Sequence, residues 1–205
     1  MTNIPDTLQR LLQTLQQIPH LAPKNVYKVA NYFLEQDRAK IISFCKALLD
    51  ITQQISRCQV CFTWQQSDLP CNFCTSPRRN QKIICIVEAW PDVLAIERAL
   101  SFEGVYHVLG GLISPLNGTG PDDLTINFLH QRVIDINASE LILALGHTPE
   151  GEVTASYLVD KLQKLNLNIS VLAQGMPVGS SLEYTDRVTL ARALSDRKQI
   201  YESQK

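Results

Sequence analysis

The chain has 205 residues, enough for one large domain or two small ones, and its 45% apolar and 7% aromatic content is that of an ordinary globular protein. Its net charge of −1 argues neither for nor against nucleic acid, but residues 1–80 carry nine Lys/Arg against five Asp/Glu (net +4) and residues 81–205 ten against fifteen (net −5), so a polyanion would meet the amino-terminal part first. The opening MTNIPDTLQR has neither a basic start nor an apolar run, and nowhere do 18 apolar residues run together, which excludes a secretory signal and a membrane helix and leaves the cytoplasm as the expected location.

In chain order, TLQRLLQTLQQI at 7–18 places Leu8, Leu11, Leu12, Leu15 and Ile18 on one helical stripe, with Asp6 or Thr7 as its N-cap. Pro19 and Pro23 bracket a short turn. NVYKVANYFLEQ follows, with Val26, Val29, Ala30, Phe33 and Leu34 on an apolar face. A third helix, residues 38–55, carries Ile41, Phe44, Leu48 and Leu49. Lys24 and Lys28 lie one turn apart on the second helix, where they form either a solvated face or a contact for phosphate.

CQVCFTWQQSDLPCNFC at 58–74 holds two CxxC pairs separated by nine residues. A disulfide staple is disfavoured in a reducing compartment. A thioredoxin-like redox site needs one such pair, not two. Zinc takes four thiolates at tetrahedral corners, and two knuckles supply them, so Cys58, Cys61, Cys71 and Cys74 are expected to form a closed, structural Zn²⁺ site, one per chain. Metal binding would supply the folding energy that so short a loop lacks. Cys45 and Cys85 stand apart in apolar surroundings and are expected to be small core residues.

The pattern changes near residue 82. KIICIVE is a near-continuous apolar run, as in a strand buried on both faces. PDVLAIERAL, with Pro91 and Asp92 in its first turn, is a helix. VYHVLGG (105–111), ELILALG (140–146) and NISVLAQG (168–175) are further strands, the last two separated by the amphipathic helix EGEVTASYLVDKLQKL. Strands alternating with helices predict a parallel, doubly covered sheet, with sites at the strands' carboxyl ends. The loop GGLISPLNGTGP at 110–121, with four glycines and two prolines, is too long for a tight turn. Glu88 ends the first strand, and Glu150 and Glu152 follow the third. Together they either hold Mg²⁺ for phosphoryl transfer or, for the latter two, simply occupy a helix's first turn, where negative charge is favoured.

A strand ending in Glu and a later strand followed by EGE resemble the Toprim fold of topoisomerases and primases. In its catalytic members the second strand runs into Asp-x-Asp-x-Glu-Gly-Glu, whose aspartates hold magnesium. Here that segment reads GHTPEGE, with Gly146 and Thr148 at the two aspartate positions. The resemblance therefore implies a Toprim scaffold and not a catalyst, and His147 is a replacement within that decayed site.

Over essentially the whole chain, the order of helices, Cys₄ knuckle and Toprim region is similar to the RecR family of bacterial recombination mediators. VYHVLGGLISPLNGTGPDDL (105–124) and PVGSSLEYTDRVTLARAL (177–194) resemble two long signatures of that family. The resemblance implies a multi-domain α+β fold: a helix-hairpin-helix-like DNA-binding region at 1–55, a zinc finger at 56–79, a Toprim domain at 80–175, and a Walker-B-like segment with a helix at 176–205. It implies a non-enzymatic DNA-repair scaffold, a ring-like tetramer acting with RecO and RecF to help load RecA on single-stranded DNA. The family's hairpin pattern Gly-x-Gly-Pro-Lys, followed four residues later by a basic residue, reads HLAPKNVYK here. Lys24 and Lys28 match the basic positions, whereas His20 and Ala22 replace the glycines. Glu150 and Glu152 become candidates for a partner surface. No glycine in the chain is followed by lysine, so no P-loop holds a nucleotide, and Asp186 is read as a helix-start carboxylate. The competing reading is a Mg²⁺-dependent primase- or nuclease-like enzyme using Glu88, Glu150 and Glu152.

Overall fold

A computed structural model describes residues 4–165, 167–173 and 175–197. The chain divides into two units, Met1–Ser56 and Arg57–Lys205.

In the first unit, α1 (Asp6–Gln16) and α2 (Pro23–Leu34) form a helical hairpin. Leu12 and Leu15 pack on Val26 and Ala30, flanked by Leu8, Leu11, Leu21 and Val29, so each helix uses its apolar stripe on the other. The N-cap is Pro5, one residue before Asp6 and two before Thr7, the two expected caps; it makes no side-chain hydrogen bond, and Asp6 sits in the first turn near the helix's positive end. In α2, Pro23 fixes φ where no backbone N–H is needed.

The third helix, α3 (Arg38–Gln54), buries no residue. Ile42, Phe44, Leu48, Leu49 and Ile51 are 48–64% exposed, although Phe44 meets Phe33 with ring centroids 5.0 Å apart. Cys45, expected in a core, is exposed on this helix because α1 and α2 have spent their apolar faces on each other. Cys85 is buried as expected.

From the boundary onward, β1 (Ile55–Arg57, whose last residue opens the second unit), its partner β2 (Trp64–Gln66) and the single-turn α4 (Asn72–Thr75) carry the cysteine knuckles. A four-stranded sheet follows, in the order β4 (Gly104–Val108), β3 (Asn80–Val87), β5 (Glu140–Ala144), β6 (Asn168–Val171), and its three strand pairings are all parallel. Between the strands run α5 (Trp90–Arg98), α6 (Ile126–Asp135) and α7 (Pro149–Leu162), and α8 (Arg187–Ser195) comes last. The chain steps from β3 out to β4, then returns past β3 to β5. That reversal puts a topological switch point at the carboxyl ends of β3 and β5.

Alternation along β3 divides the core between the sheet's two faces. Ile84 and Ile86 join Leu129 and Val133 of α6 and Leu158 and Leu162 of α7 on one face. Cys85 and Val87 join Val93 of α5, Tyr106 and Val108 on the other, and there Phe62 and Phe73 from the knuckles complete the cover. The cysteine segment is thus part of the layer that closes one face of the sheet.

His107 of β4 is wholly buried. Its Nε2 lies 2.9 Å from Thr125 Oγ1, whose own proton goes to the Val108 carbonyl at 2.8 Å. Nε2 must therefore donate, and Nδ1 is a buried acceptor with no partner among the described residues. Burial, and then the charge of Arg132, push this imidazole down to about 3. The unfolded ring titrates near 6.5 and so takes up a proton first as pH falls. His107 leaves stability unchanged above pH 6.5 and lowers it between pH 6.5 and about 3, by up to about 1.4 kcal/mol per pH unit. In urea titrations, stability should fall with that slope below pH 6.5, and His107→Gln should flatten it; equal slopes in both proteins would refute the assignment.

Candidate functional site

Cys58, Cys61, Cys71 and Cys74 bring their sulfurs within 4.8 Å of one another. Cys58 Sγ to Cys74 Sγ is 3.9 Å and Cys61 Sγ to Cys71 Sγ is 3.5 Å. Four thiolates at about 2.3 Å around a tetrahedral centre would sit about 3.8 Å apart. Among the described residues no other group of three or more His, Cys, Asp or Glu side chains meets at one point. The four cysteines can hold a metal ion, with no place left for substrate.

Local backbone geometry produces this convergence. In the first knuckle, Phe62 N–H donates to the Cys58 carbonyl at 3.0 Å and Cys58 N–H to the Thr63 carbonyl at 2.8 Å; Phe62 sits at φ +61° to close the turn. The Val60 amide points at Cys58 Sγ from 3.4 Å. In the second knuckle, the amides of Cys74 and Thr75 both donate to the Cys71 carbonyl at 3.0 Å. The buried Thr63 hydroxyl lies 3.0 Å from Cys61 Sγ. Crowding spreads the thiol acidities. Hydrogen bonding with Cys71, and then burial, push Cys61 up to about 12, while Cys71 is lowered by Cys61 and Cys74. Cys74 is raised by its neighbours Cys61 and Cys71, with Arg132 opposing. Without a cation, such a cluster retains protons that a metal would displace.

The knuckles are seated firmly on the sheet. Val108 N–H of β4 donates to the Cys61 carbonyl at 2.9 Å. Phe62 packs on His107 and Phe128, at 5.4 and 5.2 Å, and Phe73 meets Tyr106 edge-on at 5.4 Å. Arg79 lies over the Phe73 ring, donates to the Gly104 carbonyl at 2.9 Å and pairs with Glu97 at 2.6 Å; Tyr106 donates to the same carboxylate at 2.5 Å. Arg132 of α6 donates to the Tyr106 carbonyl at 2.6 Å, with its other terminal nitrogen 3.9 Å from Cys74 Sγ. Sequence reasoning missed Phe62, Thr63, Phe73, Arg79 and Arg132. For Arg132 a signal existed, since it interrupts the apolar spacing of Ile126, Leu129 and Val133.

At the switch point, Glu88 and Glu150 line one cavity of about 430 Å³, together with Gly110, Gly111, Ser114, Asn117, Thr119 and Thr148. Burial, and then Asp92, raise the Glu88 carboxyl above its usual range. Glu152 is not on that wall; it pairs with Arg192 of α8 at 2.7 Å. Gly146 and Thr148 add no charge here. Thr148 instead caps α7, its hydroxyl accepting from the Gly151 amide at 3.1 Å, and Glu150 and Glu152 occupy the helix's first turn. Gly151 is sterically required, because a Cβ there would fall 1.9 Å from the Gly146 carbonyl oxygen. His147 is exposed beyond β5. Asp186 caps α8, accepting from the amides of Val188 and Thr189.

In the first unit, Lys24 and Lys28 are both exposed on α2. Neither ion pair formed among the described residues involves them. Of the two residues in the family's glycine positions, Ala22 has an ordinary extended backbone, at φ −56° and ψ 141°. His20 is held at φ +64°, the left-handed conformation that glycine adopts freely and that other residues reach at a penalty. The turn keeps its shape and carries strain.

A family model described as the Toprim domain matches residues 82–173, and one described as RecR, C-terminal, matches residues 175–198. The chain is similar to proteins called Recombination protein RecR. That of Tropheryma whipplei (strain TW08/27) is 42% identical over 193 residues, 94% of this chain and 97% of its own. Those of Acidothermus cellulolyticus and Synechococcus elongatus are each 42% identical over 193 residues, covering 94% of this chain and 96% of theirs.

Two outcomes follow from this geometry. Native mass spectrometry should find one metal ion per chain, and Cys71→Ser should abolish it and lower the thermal midpoint; an unchanged midpoint would show that the knuckles fold without metal. His20→Gly trades about 1–2 kcal/mol of left-handed strain against about 0.5–1 kcal/mol of glycine entropy. It should stabilise the helical hairpin by about 0.5–1 kcal/mol in urea titrations, and a loss of stability would exclude strain at this position.

Proposed function

The chain belongs to the RecR family of recombination proteins, and on that footing we propose that it is a DNA-binding scaffold of recombinational repair with no catalytic activity of its own. The observation that carries this reading is the depleted ion cage at the switch point. Glu88 and Glu150 are the only acidic residues that line the cavity, and Glu152 is engaged with Arg192. A Cβ at Gly146 would meet nothing closer than Thr148 Cγ2 at 3.9 Å. Packing at that first atom therefore does not forbid the missing aspartate. What has gone is the chemistry, while the surrounding fold remains.

The remaining assignments follow from the same reading. The four cysteines hold one structural Zn²⁺, as a closed thiolate set in a reducing compartment favours. Lys24 and Lys28 contact DNA phosphates without regard to sequence. Glu150 and Glu152 belong to a surface for RecO- or RecF-family partners, with which the protein helps load RecA on single strands. The working divisions are 1–55 for DNA, 56–79 for zinc, 80–175 for the Toprim scaffold and 176–205 for the tail. A cytoplasmic, nucleoid-associated location suits this role, and no described helix is long and apolar enough to cross a membrane.

Assembly into a tetramer is supported by exposed apolar side chains on both units. The first presents the bare face of α3; the second presents Val178, Leu182, Tyr184, Val188 and Leu194 around α8. Two separate self-complementary faces on one chain generate a closed tetramer where a single face would stop at a dimer. Two lysines per subunit then become eight around one DNA, and weak contacts multiply.

The competing enzyme would use Glu88, Glu150 and Glu152 with Mg²⁺, although Glu152 is engaged by Arg192. Magnesium-dependent cleavage or primer synthesis that disappears in Glu88→Gln would overturn the scaffold reading. For DNA, eight phosphate contacts predict an affinity that drops by about 10³–10⁵ between 50 and 200 mM salt. Lys24→Glu with Lys28→Glu should abolish most of that salt dependence and weaken binding at low salt. Retention equal to that of the unaltered protein would remove α2 as the DNA surface.

A further inference from the structure

Arg132 presents a charge without an obvious partner. Its side chain lies on the stripe of α6 that faces the sheet, and the residue is only 6% exposed. One terminal nitrogen donates to the Tyr106 carbonyl at 2.6 Å, and Nε is buried with no partner among the described residues. Neither ion pair among the described residues, Arg79–Glu97 or Arg192–Glu152, involves it. A guanidinium does not lose its proton in a protein, so burial leaves it a full cation. Burying such a cation without a countercharge is strongly unfavourable. The carbonyl dipole of Tyr106 compensates part of that loss. The other terminal nitrogen points towards Cys74 Sγ, 3.9 Å away.

We propose that Arg132 is the buried counter-ion of the metal–thiolate centre: its guanidinium offsets the excess negative charge of the four cysteine sulfurs and ties Cys74 to β4 through the Tyr106 carbonyl. This rests on the reading of the four cysteines as a metal site. A divalent ion bound by four thiolates leaves a net charge of about −2. The centre and the guanidinium each supply what the other lacks, and both are shielded from solvent counter-ions. The position follows from the fold. Arg132 springs from a helix on one face of the sheet, whereas the knuckles cover the other, so its long side chain links the two layers at β4. Reducing the basicity of a bound thiolate slows its protonation, which is the step that releases the metal. Stripping the metal removes the metal–thiolate charge that the buried cation faces. Loss of metal should therefore loosen α6 as well as the knuckles.

The test uses the full chain with Zn²⁺ and Co²⁺ as probes, measured by competition with a chromogenic chelator and by the rate of release. Arg132→Met should weaken metal binding by about 10–100-fold, as loss of an outer partner of a metal ligand does, and release should be faster. Arg132→Lys, which keeps the charge, should stay within about threefold of the unaltered protein. With metal stripped, Arg132→Met should be no less stable than the unaltered protein, because the uncompensated cation is gone. Should the Met variant fail to fold, Arg132→Gln, which keeps donors without the charge, takes its place with the same expectations. Unchanged affinity and release in the uncharged variant would overturn the proposal. So would an equal loss of metal in the Lys and uncharged variants, or a destabilisation by the uncharged variant as large without metal as with it. If the unaltered protein binds neither ion, it is the metal reading that falls.

Discussion

Four sulfurs drawn within 4.8 Å of one another are the constraint on which the second unit depends. The segment between residues 58 and 74 is too short and polar for a core of its own: its buried residues are three of the cysteines themselves and Thr63. A bound metal ion would supply its cohesion, and the sheet supplies its orientation. Two phenylalanines, Phe62 and Phe73, carry the connection: each stands beside a cysteine, and each packs on β4. The knuckles therefore complete the layer that keeps Cys85, Val87, Tyr106 and Val108 out of water, a layer that α5 alone supplies only in part.

The same economy marks the rest of the molecule. At the sheet's switch point Gly146 and Thr148 carry no charge, and neighbouring polar residues serve local structure: Thr148 as a cap, Glu152 in an exposed ion pair of small energetic weight, Asp186 as a cap on α8. Nucleic-acid binding, where proposed, falls to a pair of solvated lysines on a helix whose apolar face is already committed to its neighbour. On the proposed reading a single subunit has little to hold DNA with, and the proposed assembly would supply the affinity.

The strands and most helices were legible because their periodicity is strong: an unbroken apolar run such as KIICIV has few alternatives to a doubly covered strand, and CxxC repeated at short range few alternatives to a metal cage. Other features were not legible, the whole of α6 and the short β1 and β2 among them, and three further cases show why. The exposure of Cys45 could not be read from α3, whose apolar composition matches that of a buried helix; burial depends on what lies opposite. The capping of α1 by Pro5 escaped because Asp6 and Thr7 are the stronger side-chain caps, and the chain made no use of either. The left-handed turn at His20 is the opposite case. Its residue type argued against the hairpin geometry, yet packing between α1 and α2 holds the backbone there regardless. Contacts such as Arg132 with Cys74 join residues 58 positions apart, a distance that no local pattern spans.

Gly151 shows how local structure alone can account for a sequence signature. The carbonyl of Gly146 presses so close to its α-carbon that no larger residue fits, and the acids on either side suit the electropositive start of α7. Each letter of the Glu-Gly-Glu tail is thus retained by the architecture of a strand-to-helix corner, independently of any turnover. Survival of that tripeptide in a distant relative testifies to how the corner is built, and says nothing about whether an ion was ever held there.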